Sequence, residues 1–112
     1  MKRSSAEWQA NANARAPEKY ELRLFVSGAT PRSTLAIDNI KAIVEAHLKG
    51  RYTLEIVDAF QQQKLVRDQQ IVALPTLVKN LPPPLRRIVG DMSDEEKVLV
   101  GLGLFPSEDA PG

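Results

Sequence analysis

Few side chains in this sequence are of a type that does covalent chemistry, and their surroundings argue against most of what they could do. His47 is the single histidine; no pattern of metal ligands surrounds it, and it falls in an apolar helical period, which reads as a core or boundary position. Asp91, Asp94, Glu95 and Glu96 could supply a pair of carboxylates for acid–base work. They stand, however, where a helix starts, and its macrodipole favours negative charge in the first turn. With no cysteine in the chain, disulfides, a thiolate nucleophile, a cysteine-rich zinc site and the C-x-x-C redox motif are all excluded. "GATPRS" (Gly28 to Ser33) sets a glycine ahead of a helix N-terminus, which could hold an anion on backbone N–H groups, but neither G-x-G-x-x-G nor G-x-x-x-x-G-K-[ST] is present. No catalytic, metal-binding or cofactor-binding group is assigned.

A different kind of signal lies in "ALPTLVKNLPPPLRRIVGDMS" (Ala73 to Ser93), which spends many constrained residues where no chemistry is evident. Lys79, Arg86 and Arg87 are the only charges between Asp68 and Asp91, and four acids follow by Glu96. Two readings fit this pattern. One is a solvated edge beside a capped helix; the other is a docking face with signed charge that sets register and on-rate with a protein partner.

The chain that must carry these residues is 112 long, enough for one domain with one core. At 43% apolar and 26% charged residues, a packed globular core is expected over general disorder. Fifteen basic against fourteen acidic residues leave a net charge of +1, too little for a general attraction to nucleic acid or an anionic membrane, so a partner must be recognised locally. The start, "MKRSSAEWQANANARAPEK", lacks the apolar run of a signal peptide, and no stretch approaches the roughly 20 apolar residues of a membrane span. A cytoplasmic location is expected. Residues 1–19 read as a disordered tail, Trp8 included, 20–104 as the folded domain and 105–112 as a flexible C-terminal tail.

"YELRLFV" (Tyr20 to Val26) alternates as a first strand. Thr30 is a good N-cap and Pro31 fits the first helical position; Ala36, Ile37, Ile40, Ile43, Val44, His47 and Leu48 then recur at helical spacing until Gly50, which predicts a helix over about 31–48. "RYTLEIVD" alternates again, completing a βαβ unit whose strands should be parallel with a right-handed crossover. Its predicted core is Leu22, Leu24, Ile37, Ile40, Ile43, Val44 and Ile56. "AFQQQKLVRDQQIVA" predicts a shorter helix ended by Pro75, "TLVKNL" a short strand, and Pro82 to Pro84 an extended connection. "RRIV" with "GD" reads as strand and turn. Ser93 to Glu96 forms a capping box for a last helix, whereas "KVLVGLGL" is an apolar run that periodicity assigns to neither helix nor strand.

Three segments, "LRLFVSGATPRS", "GRYTLEIVDAF" and "IVALPTLVKNLPPPLRRIVGDMSDEEKVLVGL", together resemble the KaiB family of circadian clock proteins over Tyr20 to Leu104, the joined run from Pro75 to Ser93 being the specific part. The resemblance implies an α/β fold with a thioredoxin-like βαβ core, and a C-terminal half that changes secondary structure between an oligomeric ground state, a dimer or tetramer, and a thioredoxin-like monomer. It implies a non-enzymatic clock regulator that binds a KaiC-type hexameric ATPase and modulates its phosphorylation cycle, with KaiA or a clock histidine kinase as further partners and neither nucleic acid nor membrane. The alternative is a KaiB-like sensor or adaptor module binding another signalling or stress-response protein. Lys64, Lys79, Arg86 and Arg87 are then the expected partner-binding residues, Gly90 and Asp91 the fold-switch hinge, and Pro75 the candidate cis-proline. X-Pro bonds are cis in only about 5–6% of cases, so that last expectation rests on the resemblance. Three positions depart from the family pattern: Leu35 replaces an early-helix arginine, Gln61 a lysine displaced here to Lys64, and Gln70 a basic residue late in the second helix. These mark a divergent paralogue.

Overall fold

The computed structural model describes residues 19–104. Both tails expected from the sequence, apart from Lys19, lie outside the described residues, as does Trp8. The elements are β1 (Tyr20–Val26), α1 (Pro31–His47), β2 (Tyr52–Asp58), α2 (Gln63–Asp68), β3 (Thr76–Leu81), β4 (Arg86–Val89) and α3 (Glu95–Gly101). One four-stranded sheet has the order β2-β1-β3-β4. β1 and β2 are parallel, in register from Tyr20 opposite Tyr52 to Val26 opposite Asp58, and β3 and β4 continue the sheet antiparallel.

α1 begins where Thr30 takes an extended conformation and its side chain accepts the Ser33 N–H, with Pro31 at the position where a missing N–H costs nothing. Ala36, Ile40, Ile43 and Val44 are buried on its inner face, where they meet Leu22, Leu24, Leu77, Val98 and Leu102 in the main core. The opposite sheet face carries a second, smaller core: Phe25, Val57 and Val78 are buried there, with Leu65 and Val66 of α2 packed over them.

Strand alternation explains the two cores and corrects one expectation. Ile56 shares the α1 face with its register partner Leu24, yet it is 38% exposed while Leu24 is fully buried. β2 is an edge strand, so its α1 face is covered from one flank only; Tyr52 and Leu54 on that face are half-buried as well. Val57, on the polar side of the predicted alternation, is buried instead under α2. Ile37 is likewise half-buried, at the rim of the main core.

α2 stops at Asp68, well short of Pro75, because Gln70 adopts a left-handed conformation with φ of 56°. Residues 82–84 form no extended connection. The Leu81–Pro82 and Pro83–Pro84 bonds are cis, and the chain reverses there between β3 and β4. At α3 the cap is Asp94 and not Ser93: the Asp94 carboxylate accepts the Lys97 N–H at 3.1 Å. The apolar run after it is helical as far as Gly101. Gly101 permits this docking, since a Cβ there would lie 2.5 Å from Ile88 Cδ1.

Candidate partner-binding site

Two parts of the long constrained stretch, Pro75 and Gly90, meet in space. Pro75 opens β3 after a cis Leu74–Pro75 bond and is fully buried. Its carbonyl accepts the Gly90 N–H at 3.0 Å, extending the β3–β4 pairing in which Thr76 faces Val89. Gly90 has φ of 127°, a region closed to residues with a Cβ. Met92, two residues on, also has positive φ, 65°, and is held by burial of its side chain in the main core. Asp91 lies between them as the link from sheet to last helix.

The surroundings of Asp91 are polar and specific. Asn39 of α1 donates from Nδ2 to the Asp91 carbonyl at 3.0 Å. Asp91 Oδ1 accepts the Ser93 N–H at 3.0 Å, and hydrogen bonding to Ser93, side chain first and backbone second, holds the Asp91 carboxyl below its ordinary range. Lys97 Nζ donates to the Val89 carbonyl at 3.1 Å. Gly90, Asp91, Ser93 and Lys97 border a shallow cavity of about 140 Å³. His47, expected in the core or at its boundary, is exposed; its Nε2 lies 2.9 Å from Glu95 Oε2 in the first turn of α3. This polar contact joins the last turn of α1 to the first turn of α3. Among the described residues no group of three His, Asp or Glu side chains converges as a metal site, and no helix is long and apolar enough to cross a membrane.

The four basic residues singled out in the sequence do not form one surface. Lys79 is 3% exposed. It pairs in register with Leu22 and so points to the α1–α3 side of the sheet, with Nζ 3.9 Å from where a Gly103 Cβ would stand; it is a buried cation, not a surface one. Arg86 is its β4 neighbour on that face, whereas Arg87 pairs with Val78 on the α2 face. Adjacent arginines in a strand must point to opposite sides. Arg87 Nε donates to the Gln69 carbonyl at 3.0 Å and braces the C-terminal end of α2, where a cation suits the helix dipole. Lys64 is exposed and pairs with Asp68 one turn on at 2.9 Å. Arg86, Arg87 and Lys64 are all exposed, but they stand on different elements or opposite faces of the sheet.

Sequence reasoning missed Asn39 and Lys97. The signal for Asn39 was available: it stands three residues after Ala36 and four before Ile43, both buried, so a polar residue sits at the margin of an apolar stripe. Lys97 gave none, since a lysine in a short helix is ordinary on any solvated face.

A cis-proline before a sheet strand, a βαβ unit and an antiparallel hairpin closed by a helix are now joined to the run from Pro75 to Ser93, and that run lies within residues 23–104, which match the family model described as the KaiB domain. The chain belongs to the KaiB family. It is 48% identical over 93 residues to the circadian clock oscillator protein KaiB of Prochlorococcus marinus subsp. pastoris, covering 83% of this chain and 87% of the relative. With the KaiB of a Picosynechococcus species it shares 48% over 89 residues, covering 80% and 86%. Among solved structures, it is similar to the N-terminal domain of Synechococcus elongatus SasA, with a TM-score of 0.64 at 24% identity, covering 81% of this chain and 88% of that one. The Drosophila thioredoxin Deadhead superposes with a TM-score of 0.62 at 15% identity, covering 77% and 80%. At those identities the likeness concerns the fold, which is thioredoxin-like. Leu35, Gln61 and Gln70, the three positions expected to depart from the family pattern, are all exposed.

Proposed function

We propose that this KaiB-family chain is a non-enzymatic circadian clock regulator that binds a KaiC-type hexameric ATPase and modulates its phosphorylation cycle. The observation that carries the proposal is the joined constrained run, Pro75 to Ser93, closed on itself by the hydrogen bond from Gly90 to Pro75, in a chain 48% identical to a circadian clock oscillator protein over most of its length. In this reading the thioredoxin-like arrangement is the partner-binding form. The segment from about Leu77 to Leu104 exchanges with a second arrangement found in a dimer or tetramer, with Gly90 and Asp91 as the hinge. Arg86 and Lys64 are surface cations available for steering, while Arg87, also exposed, is tied to the Gln69 carbonyl. KaiA or a clock histidine kinase would meet the same protein in the assembled complex.

A second reading, a KaiB-like adaptor for another signalling protein, is favoured by the likeness to the SasA N-terminal domain together with an exposed Leu35 and two exposed glutamines at departing positions. Sedimentation of the purified chain with a KaiC-type ring, with and without ATP, separates the two. Co-sedimentation that requires ATP is expected. Failure to associate at tens of micromolar with either nucleotide state would exclude the ring as partner.

A further inference from the structure

α3 is poorly equipped to hold itself in place. It has seven residues, about half of the 12–15 that an isolated helix needs for even marginal stability. Val98 is its only buried residue, with Leu102 just beyond its end. The chain entering it carries positive φ at both Gly90 and Met92, the second a conformation that residues with a Cβ rarely adopt. Something outside the segment must hold this junction.

α1 supplies it at two points. Asn39 Nδ2 donates to the Asp91 carbonyl at 3.0 Å, between the two left-handed residues. His47, two helical turns further along α1, lies 2.9 Å from Glu95 Oε2 at the first residue of α3. Residues 39 and 47 are eight apart, just over two turns along α1 and roughly 80° apart around it; Asp91 and Glu95 are the successive points they grip. We infer that Asn39 and His47 form a two-point latch through which α1 holds the sheet-to-α3 junction and sets how often α3 leaves the sheet. Each contact is individually modest, as expected for groups open to solvent. Their effect is local because both act at the entry to one short element, which is otherwise held by Val98 and Leu102 in the core and by Lys97 Nζ on the Val89 carbonyl. The latch stands whether or not the chain meets a KaiC-type ring.

Native-state amide exchange on the full chain at neutral pH tests this directly. The reporters are the Val98 and Leu102 N–H groups, bonded to the Asp94 and Val98 carbonyls within α3, against Leu24 and Val78 in the central sheet. In Asn39→Ala and in His47→Ala, exchange at Val98 and Leu102 should accelerate about 2- to 10-fold, the effect of losing one modest hydrogen bond. The double variant should show roughly the product, with Leu24 and Val78 unchanged in all three. Asn39→Ser, shorter and still polar, provides the same readout if the alanine variant folds poorly. Unchanged α3 exchange in the single variants would overturn the latch, and so would equal acceleration across sheet and helix, which would make these contacts ordinary contributors to global stability.

Discussion

Replacing Gly101 by alanine should destabilise this protein, against the usual rule for helical glycines. In a helix interior, Gly→Ala normally gains about 1 kcal/mol through propensity. Here a Cβ would lie 2.5 Å from Ile88 Cδ1 and 2.7 Å from Cγ1, whereas carbon atoms settle at roughly 3.5–4.0 Å. The helix or the isoleucine must therefore move by about 1 Å. Ile88 is only 5% exposed and belongs to the main core, so it has little room to turn away. Overpacking of this kind costs about 1–3 kcal/mol; Gly101 is the last residue of α3, where the propensity gain is smaller than in mid-helix. The net expectation is a loss of about 1–2 kcal/mol, a 5- to 30-fold change in the equilibrium it acts on. Urea denaturation followed by circular dichroism measures the loss. Adding Ile88→Val, which alone costs about 0.5–1.5 kcal/mol, should recover part of it, so the double variant should lose less than the sum of the singles. Stabilisation by Gly101→Ala, or strict additivity with Ile88→Val, would refute the close approach of α3 to β4.

Ile40→Ala should cost about 2–5 kcal/mol in the same denaturation assay, because Ile40 is fully buried at the centre of the α1 face; a cost under 1 kcal/mol would contradict the helix packing. Asp91 has a folded pKa depressed below its ordinary 3.8, so its contribution is present above that value and is lost as pH falls through the lower folded one. Protection factors of the α3 amides, which divide out the intrinsic pH dependence of exchange, should accordingly fall on acidification below about pH 4, with Asp91→Asn removing that component of the pH dependence. Arg86→Glu and Arg87→Glu should separate: the first should slow association with a KaiC-type ring in stopped-flow binding without changing stability. The second should lower stability by about 0.5–1.5 kcal/mol through the lost bond to Gln69. Identical effects of both would contradict their placement on opposite faces.

The elements of the first half were legible because each is specified locally. Thr30 and Pro31 start α1 by satisfying or omitting N–H groups, the spacing of Ala36, Ile40, Ile43 and Val44 faces it inward, and the segments "YELRLFV" and "TLVKNL" coincide with β1 and β3 from end to end. The family was legible too, since the run from Pro75 to Ser93 is specific as a string. Chain pattern alone could not place side chains whose environment depends on another element. Ile56 has the right phase but lies on an edge strand, a matter of sheet order. Lys79 reads as a surface cation in sequence, and only its register with Leu22 puts it beneath α3. The Arg86–Arg87 pair looks like one basic patch until the strand sends the two side chains to opposite faces. The apolar run at the C-terminus permits helix or strand. In this arrangement it is helix because Asp94 caps it, Gly101 lets it approach Ile88, and α1 grips its entry through Asn39 and His47. Those contacts join residues far apart in the chain, and periodicity carries no information about such distances.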